Sequence, residues 1–219
     1  MSKLKRFGLS LILRIDQIFK IKYVSIFEKL IQNCDLILDL GCGKNSPLGR
    51  LKKRKNYTVG VDIFEKYIDI SKKKEIHDKY LLLNVLDIDK EISPKSFDCV
   101  ILLDIIEHLK KINGLKLIKK VEKIATKKII ISTPNGYIQQ HEYHHNIYQI
   151  HKSGWNLKIF KKLNFRIYGI NGLKYLRGEA SHIKYRPAVF WYLISEISNI
   201  FVKYFPIFAY QLFCVKELS

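Results

Sequence analysis

The segment His141-Glu142-Tyr143-His144-His145, written HEYHH, contains the residue types of one well-known zinc site. The spacing H-E-x-x-H places two histidines on one face of a helix, where both can bind zinc while the glutamate acts as general base. A zinc hydrolase also needs a third ligand in a fixed context, and no such motif follows here. Zinc hydrolysis is therefore a remote alternative.

A second group, Asp39-Leu40-Gly41-Cys42-Gly43, ends an apolar run, and Asp62 follows about 20 residues later. Glycines at such a turn let the backbone come close to a ligand. A carboxylate at the end of the next strand can accept both hydroxyls of a ribose. Ser46 replaces the last glycine of a dinucleotide fingerprint, and Asp39 would repel a pyrophosphate but attract an ammonium group. The pattern favours S-adenosylmethionine, which combines a nucleoside with an amino acid.

Four segments together resemble the motifs of the class I S-adenosylmethionine-dependent methyltransferases. They occur in that family's order and spacing, over roughly residues 30–170. The segments are residues 36–43 (LILDLGCG), 59–62 (VGVD), 85–87 (VLD) and 97–109 (FDCVILLDIIEHL).

The resemblance implies a cofactor site at these motifs and S-adenosylmethionine as the cofactor. Asp39, Gly41 and Gly43 would line its methionine part, and Asp62 would bind the ribose. The adenine would meet Leu86 and Asp87, while Leu103 would pass under the methionine chain.

His108 and His145 are the predicted catalytic residues, because a histidine can remove the proton of an acceptor hydroxyl. His145 belongs to a cluster after the fifth strand that we interpret as a wall of the acceptor site, with a merely polar, exposed helix as an equal alternative. The other members are His141, Tyr143, His144, Tyr148 and His151. The spacing of Asp104, Glu107 and His108 places them on one helical face, and some quinone-biosynthetic O-methyltransferases bind a divalent metal on such a face. The prediction is nevertheless a site without metal, with this set as the alternative.

Apolar runs that alternate with longer amphipathic segments predict βαβ units and a parallel sheet. We expect an α/β, Rossmann-like, doubly wound sheet of seven strands, mostly parallel with an antiparallel last strand, and helices on both faces. The predicted strands are residues 36–40, 57–61, 80–83, 97–103, 128–132, 164–170 and 209–216, and the predicted helices are residues 48–55, 65–74, 107–125 and 187–205.

The chain is predicted to be one methyltransferase domain, residues 1–219. Residues 30–170 would form the cofactor-binding core. Residues 171–206 would be a C-terminal insertion whose apolar amphipathic helix serves as a lid, a dimer contact or a membrane-surface helix beside the basic Lys3, Lys5 and Arg6. Simple core packing of this helix is an equal alternative.

The charge of the chain is unusual, with 39 Lys and Arg against 20 Asp and Glu, a formal net charge of +19. Such a surface attracts anions, including nucleic acid and acidic lipid. The lysines occur in short dispersed runs, however, which favours solvated faces over a dedicated polyanion groove. Four cysteines without C-x-x-C spacing indicate reduced core residues and a cytoplasmic location, with a peripheral membrane contact as an alternative. The sequence predicts no signal peptide and no membrane-spanning run.

The predicted acceptor is a small hydroxylated or carboxylated molecule, with lipophilic or saccharide acceptors included, methylated on oxygen. Methyltransferases that act on nucleobase amines carry an Asn/Asp-Pro-Pro-aromatic motif after the fourth strand, and here that position reads Leu103-Asp104-Ile105-Ile106. A nucleic-acid-directed methyltransferase and a non-catalytic S-adenosylmethionine-binding subunit are the alternatives.

Overall fold

The computed structural model of the protein describes residues 27–51, 55–142 and 146–218. Seven strands form one sheet in the order β3-β2-β1-β4-β5-β7-β6. Strand β7 pairs antiparallel with both β5 and β6, while the β1–β2, β1–β4, β2–β3 and β4–β5 pairs are parallel. The strands are β1 Leu36–Leu40, β2 Tyr57–Asp62, β3 Lys79–Leu82, β4 Phe97–Leu103, β5 Ala125–Pro134, β6 Arg166–Leu173 and β7 Ala209–Glu217. The predicted fold class is confirmed.

The central strands are apolar on both faces because each face is covered. Leu38 and Leu40 of β1 belong to one buried cluster, while Ile37 belongs to a second cluster on the opposite face. The first cluster includes the buried side of the helix Lys111–Ile124, and the second includes Phe27 and Ile31 of a helical turn at residues 27–31. Successive side chains of a strand point to opposite faces, so one apolar run supplies both cores.

Six α-helices are described between the strands, and several differ in length from the predicted ones. The predicted helix at 107–125 is divided into a 3₁₀ turn, Ile106–His108, and a helix from Lys111. At 48–55 the structure has only the 3₁₀ turn Pro47–Arg50, and residues 52–54 lie outside the described part. The helices are α1 Glu65–Lys73, α2 Ile88–Glu91, α3 Lys111–Ile124, α4 Leu157–Lys162, α5 Ala188–Ile197 and α6 Asn199–Val202. Further 3₁₀ turns are Val85–Asp87, Ile147–Gln149, Lys174–Leu176, Glu179–Ser181 and Pro206–Phe208.

The direction of the sheet order reverses between β1 and β4, since the chain runs outward to β3 on one side and to β5 on the other. In an open α/β sheet this reversal leaves a crevice at the carboxyl ends of the strands, where ligands bind. The glycine turn after β1 and the 3₁₀ turn after β4 both lie at this edge. Among the described residues, no helix is long and apolar enough to cross a membrane. The thiols of all four cysteines are buried and unpaired.

Candidate cofactor and catalytic site

The turn after β1 has a backbone that favours glycine at two positions. Gly41 and Gly43 have φ angles of +69° and +57°, in the left-handed region that side chains rarely allow. The amide of Gly41 donates to the carbonyl of Val61 at 2.8 Å, which ties the turn to β2. A Cβ atom on Gly41 would lie 2.6 Å from Cδ1 of Ile105, whereas a Cβ on Gly43 would meet no protein atom within 4 Å.

Asp62 holds this turn in place with its carboxylate. Oδ2 accepts from the amide of Gly43 and Oδ1 accepts from the amide of Phe64, both at 2.9 Å. Burial raises the pKa of Asp62, and the two amide donors counteract that effect. The carboxylate therefore sits at the end of β2, next to the glycine backbone, as the sequence predicts for a ribose-binding acid.

A pocket with a volume of about 340 Å³ opens at the carboxyl edge beside this turn. It falls in the size range of small-ligand sites. Five of the predicted site residues line it: Gly41, Gly43, Asp62, Leu86 and His108. The open space in front of Gly43 is the kind of cradle that a Cβ atom would fill, so the pocket fits a ligand that touches bare backbone.

Three predicted cofactor residues do not line this pocket. Asp39 is buried behind the turn, where its Oδ2 accepts from Ser46 Oγ at 2.6 Å and lies 2.9 Å from His77 Nε2. Asp87 forms an exposed ion pair with Lys90 at 2.6 Å. Leu103 packs against the second core cluster. A direct contact of these three with the cofactor thus stays a prediction, and the geometry of the pocket does not favour it.

Several pocket residues were not predicted, although they flank the predicted ones. Asn84 lies next to the third motif, where its side chain caps the turn Val85–Asp87 by accepting from the amide of Leu86. Ile105 belongs to the fourth motif, and Tyr148 and Lys152 come from the segment after β5. Motif position alone identifies Asn84 and Ile105 only approximately. Tyr148 is the exception, since it belongs to the cluster predicted as a wall of the acceptor site, and Lys152 carries no sequence signal.

His108 belongs to a cluster of buried side chains with Glu107 and His151. One potential ligand atom from each residue lies within 4.8 Å of the others. The imidazole rings of His108 and His151 are 4.9 Å apart. Nδ1 of His108 lies 3.3 Å from the carbonyl of Ile150, and Nδ1 of His151 lies 2.6 Å from the carbonyl of Ile138. A carbonyl only accepts, so in the neutral rings each Nδ1 carries the proton and each Nε2 carries a lone pair.

The backbone fixes His151 beside His108. The carbonyl of Glu107 accepts from the amides of Lys152 at 2.7 Å and Ser153 at 3.1 Å. Trp155 is fully buried, and its Nε1 donates to the carbonyl of Ile106 at 3.2 Å. These bonds join the segment after β5 to the 3₁₀ turn after β4. Residues 43 positions apart in the chain, 108 and 151, are thereby held in one group.

Burial sets the electrostatics of this group. It lowers the pKa of His108 to about 4 and also lowers the pKa of His151, so both rings are neutral at neutral pH. Burial, with the charge of Asp104 as a second cause, raises the pKa of Glu107 well above its usual range. Thr133 Oγ1 donates to Glu107 Oε2 at 2.9 Å. Two neutral imidazoles beside a carboxyl group form a donor set that suits a divalent cation.

Asp104 is not one of the three residues with this ligand geometry, although its charge acts on Glu107, so the set differs from the one that the sequence predicts. Its Oδ1 accepts from Ser132 Oγ at 3.0 Å and from the side-chain amide of Gln211. The group with ligand geometry contains His151 in its place. Helical spacing suggested Asp104 as a third ligand. The structure has a 3₁₀ turn at Ile106–His108, and Asp104, two residues before it, has a φ of +55°, so α-helical spacing does not apply.

The HEYHH segment does not meet the requirement of a zinc helix. His141 and Glu142 are exposed and lie outside any helix, and Nδ1 of His141 is 3.3 Å from Glu179 Oε1. Tyr143, His144 and His145 lie outside the described residues, so the predicted catalytic role of His145 stays a prediction.

Comparison with known families gives an independent result. Residues 38–127, which run from β1 into β5 and include most of the first motif and all of the other three, match the family model described as a methyltransferase domain. The chain contains a class I S-adenosylmethionine-dependent methyltransferase domain. Its cofactor is S-adenosylmethionine. No curated protein sequence matches the chain.

Solved structures of methyltransferases share the fold at low sequence identity. A SAM-dependent methyltransferase from Archaeoglobus fulgidus is 16% identical, with a TM-score of 0.58, over 90% of this chain and 94% of its own. The magnesium protoporphyrin IX methyltransferase of Synechocystis PCC 6803, solved with bound SAM, is 18% identical with a TM-score of 0.51, over 98% of this chain and 81% of its own. The small RNA methyltransferase HEN1 is 17% identical with a TM-score of 0.54, over 91% of this chain and 25% of its own. The methyltransferase domain thus has the fold of enzymes whose named acceptors differ widely.

Proposed function

We propose that this methyltransferase transfers the methyl group of S-adenosylmethionine to a hydroxyl oxygen of a small acceptor. The observation that carries the proposal is the cluster of Glu107, His108 and His151. His108 lines the same pocket as the glycine turn and Asp62. The absence of an Asn/Asp-Pro-Pro-aromatic segment after β4 supports oxygen over a nucleobase nitrogen.

The bound cofactor supplies a methyl group on a positively charged sulfur, which is already a strong electrophile. The acceptor oxygen forms a bond to this carbon while the carbon–sulfur bond breaks and its electron pair returns to sulfur. The hydroxyl proton must leave as the new bond forms. The chain therefore contributes position, exclusion of water and a destination for one proton.

We infer that the cluster contributes by holding a divalent cation, with ligands Glu107 and Nε2 of His108 and His151. The residues fit, because both Nδ1 atoms are engaged with backbone carbonyls, which leaves Nε2 as the nitrogen with a lone pair in each neutral ring. A cation there would lower the pKa of an acceptor hydroxyl. His108 alone is a weaker candidate for the base, since burial lowers its pKa to about 4. This proposal replaces the sequence-based prediction of a site without metal.

The name of the magnesium protoporphyrin IX methyltransferase describes a small acceptor for an enzyme of this fold, which is a precedent for the proposal. A hydroxyl of RNA is the second candidate. Its support is the net charge of +19 and the similarity to the fold of the small RNA methyltransferase HEN1. The two candidates differ in salt dependence, because binding to a polyanion weakens steeply with added salt and binding to an uncharged small molecule does not.

The test of the cation uses calorimetric titration of the purified, chelator-treated chain with Mn²⁺. We expect one binding site per chain, lost in Glu107→Gln and retained in Glu122→Gln, which makes the same chemical change at a surface ion pair with Lys216. Titration with S-adenosylmethionine should be unaffected by Glu107→Gln. If Mn²⁺ binds equally to both variants, the cluster is not the cation site.

The test of the acceptor class is methyl transfer from radiolabelled S-adenosylmethionine to a panel of catechols, hydroxylated aromatic acids, sugars and short RNA oligonucleotides. Product on a small hydroxylated compound, abolished by Glu107→Gln, is the expected result. Product only on RNA, suppressed by salt, would instead establish the second candidate.

A further inference from the structure

A large apolar area lies on the outer side of the C-terminal helices. Eight large apolar side chains from α5, α6, the link after α6 and the turn Pro206–Phe208 are exposed, and we call them the C-terminal apolar surface. Ordinary monomer surfaces carry single exposed apolar residues rather than groups of this size. The members are Phe190, Ile197, Ile200, Phe201, Tyr204, Phe205, Ile207 and Phe208.

The surface is a fixed part of the fold. Val202 is fully buried, and its carbonyl packs against Gly169 of β6, where a Cβ atom would lie 2.1 Å from the carbonyl oxygen. On the outer side, Phe201 stacks on Phe205 with ring centres 4.7 Å apart and contacts Phe208 at 5.7 Å. One side of α6 is therefore anchored on the sheet while the other presents aromatic rings to solvent.

The exposed charged side chains of the segment that carries this surface are basic. Residues 182–208 contain the basic residues Lys184, Arg186 and Lys203 and a single acid, Glu196. Glu196 is buried on the inner side, where its Oε1 pairs with Arg177 Nη2 at 2.5 Å. Exposed rings with basic neighbours and no accessible acid are the composition of segments that lie in the interface of an anionic bilayer.

The surface lies at the same edge of the sheet as the cofactor pocket. Asn135, directly after β5, donates from Nδ2 to the carbonyls of Pro206, Ile207 and Ala209 at 3.0–3.1 Å. The carboxyl end of β5 therefore holds the turn Pro206–Phe208 in position. Whatever this surface contacts is brought to the edge at which the pocket opens.

We propose that the C-terminal apolar surface binds the surface of an anionic lipid bilayer. A second copy of the chain is a poorer partner, because two chains with a net charge of +19 repel each other. An anionic membrane offers negative charge to the basic residues and an apolar layer to the exposed apolar side chains. The inference does not depend on the chemical identity of the methyl acceptor.

The test is co-sedimentation of the full chain with vesicles of phosphatidylcholine mixed with phosphatidylglycerol, and with vesicles of phosphatidylcholine alone. The test variant is Ile200→Asp/Tyr204→Asp, since these side chains are 67% and 71% exposed and contribute little to packing. The matched control is Ile112→Asp/Leu82→Asp, which adds the same charge at exposed apolar positions elsewhere. Titration with S-adenosylmethionine verifies that both variants are folded.

We expect wild type and the control variant to bind the anionic vesicles, and the test variant to bind at least about tenfold more weakly. Neutral vesicles should bind wild type much less. Equal binding by both variants, or no binding by wild type, would overturn the proposal. Two results found for the test variant alone would also overturn it. A change from dimer to monomer in lipid-free light scattering would show that a second copy covers the surface, and a lower unfolding temperature would show that the chain itself covers it.

Discussion

Substitution of Gly41 and of Gly43 by alanine should separate folding from cofactor binding. Both residues have a positive φ, which costs an alanine about 1–2 kcal/mol, partly offset by the lower entropy of the unfolded chain. Gly43→Ala therefore costs about 1 kcal/mol of folding free energy. Gly41→Ala adds an overlap with Ile105 worth about 1–3 kcal/mol more, because even Cβ of Ile105 would lie 3.0 Å from the new methyl group, where side-chain rotation gives no relief.

For binding of S-adenosylmethionine, Gly43→Ala should be the more damaging of the two substitutions. The new methyl group of Gly43→Ala enters open space in the pocket and takes up room for the ligand, so we expect an affinity loss of about tenfold or more. Gly136→Ala is the control, because Gly136 also has a positive φ and open space around it but does not line the pocket.

Urea unfolding measures the first effect and calorimetric titration with S-adenosylmethionine the second. In an Ile105→Ala background, the stability cost of Gly41→Ala should fall by about 1 kcal/mol or more, since the overlapping atoms Cδ1 and Cγ1 are gone. The reasoning is wrong if Gly43→Ala and Gly136→Ala bind the cofactor with the same affinity, or if Gly41→Ala is no less stable than Gly43→Ala.

Three further predictions concern other residues of the site. Asp62→Asn removes the charge that accepts from the amide of Gly43 and should weaken binding of S-adenosylmethionine by about tenfold, measured by calorimetry against Glu65→Gln; unchanged affinity would exclude a cofactor role. The pKa of His108 is about 4 in the folded protein against 6.5 for a free side chain, so the unfolded chain binds the extra proton and stability falls as pH drops through 6.5 toward 4. In urea unfolding, the free energy of unfolding of wild type should therefore fall by about 2 kcal/mol more than that of His108→Gln between pH 7 and pH 5. Equal losses would contradict the lowered pKa of His108. Gly114→Ala would put a methyl group 2.4 Å from the ring of Trp155 and should cost about 2 kcal/mol while changing Trp155 fluorescence; an unchanged spectrum would show that the ring does not pack there.

The sequence predicts the sheet well because its strands are buried on both faces. Runs such as residues 36–40 and 97–103 are apolar except for one aspartate each, and this pattern differs clearly from the periodic pattern of α1 and α3. The short helix α4 was not predicted, although Asn156 gives a start signal by capping the amide of Ile159. Six residues are too few for a helical period to show in the sequence.

The sequence predicts the site most directly where backbone conformation determines it. Gly41, Gly43 and Asp62 follow from the turn that joins a strand to the next element, and all three line the pocket. The position of His151 beside His108 depends on backbone hydrogen bonds between two distant segments, which no local pattern records. The contact between Asp39 and His77 is equally invisible to a local pattern, because the two residues lie 38 positions apart in the chain.

The place of β7 between β5 and β6 has a consequence for synthesis of the chain on the ribosome. Strands β1 to β5 can pair as they emerge, but β6 has no strand partner other than β7 in the described sheet. Until residues 209–217 have left the exit tunnel, both β5 and β6 expose an unpaired edge, and such edges promote aggregation. A nascent chain held on the ribosome before residues 209–217 emerge should therefore need chaperone protection that the released chain does not.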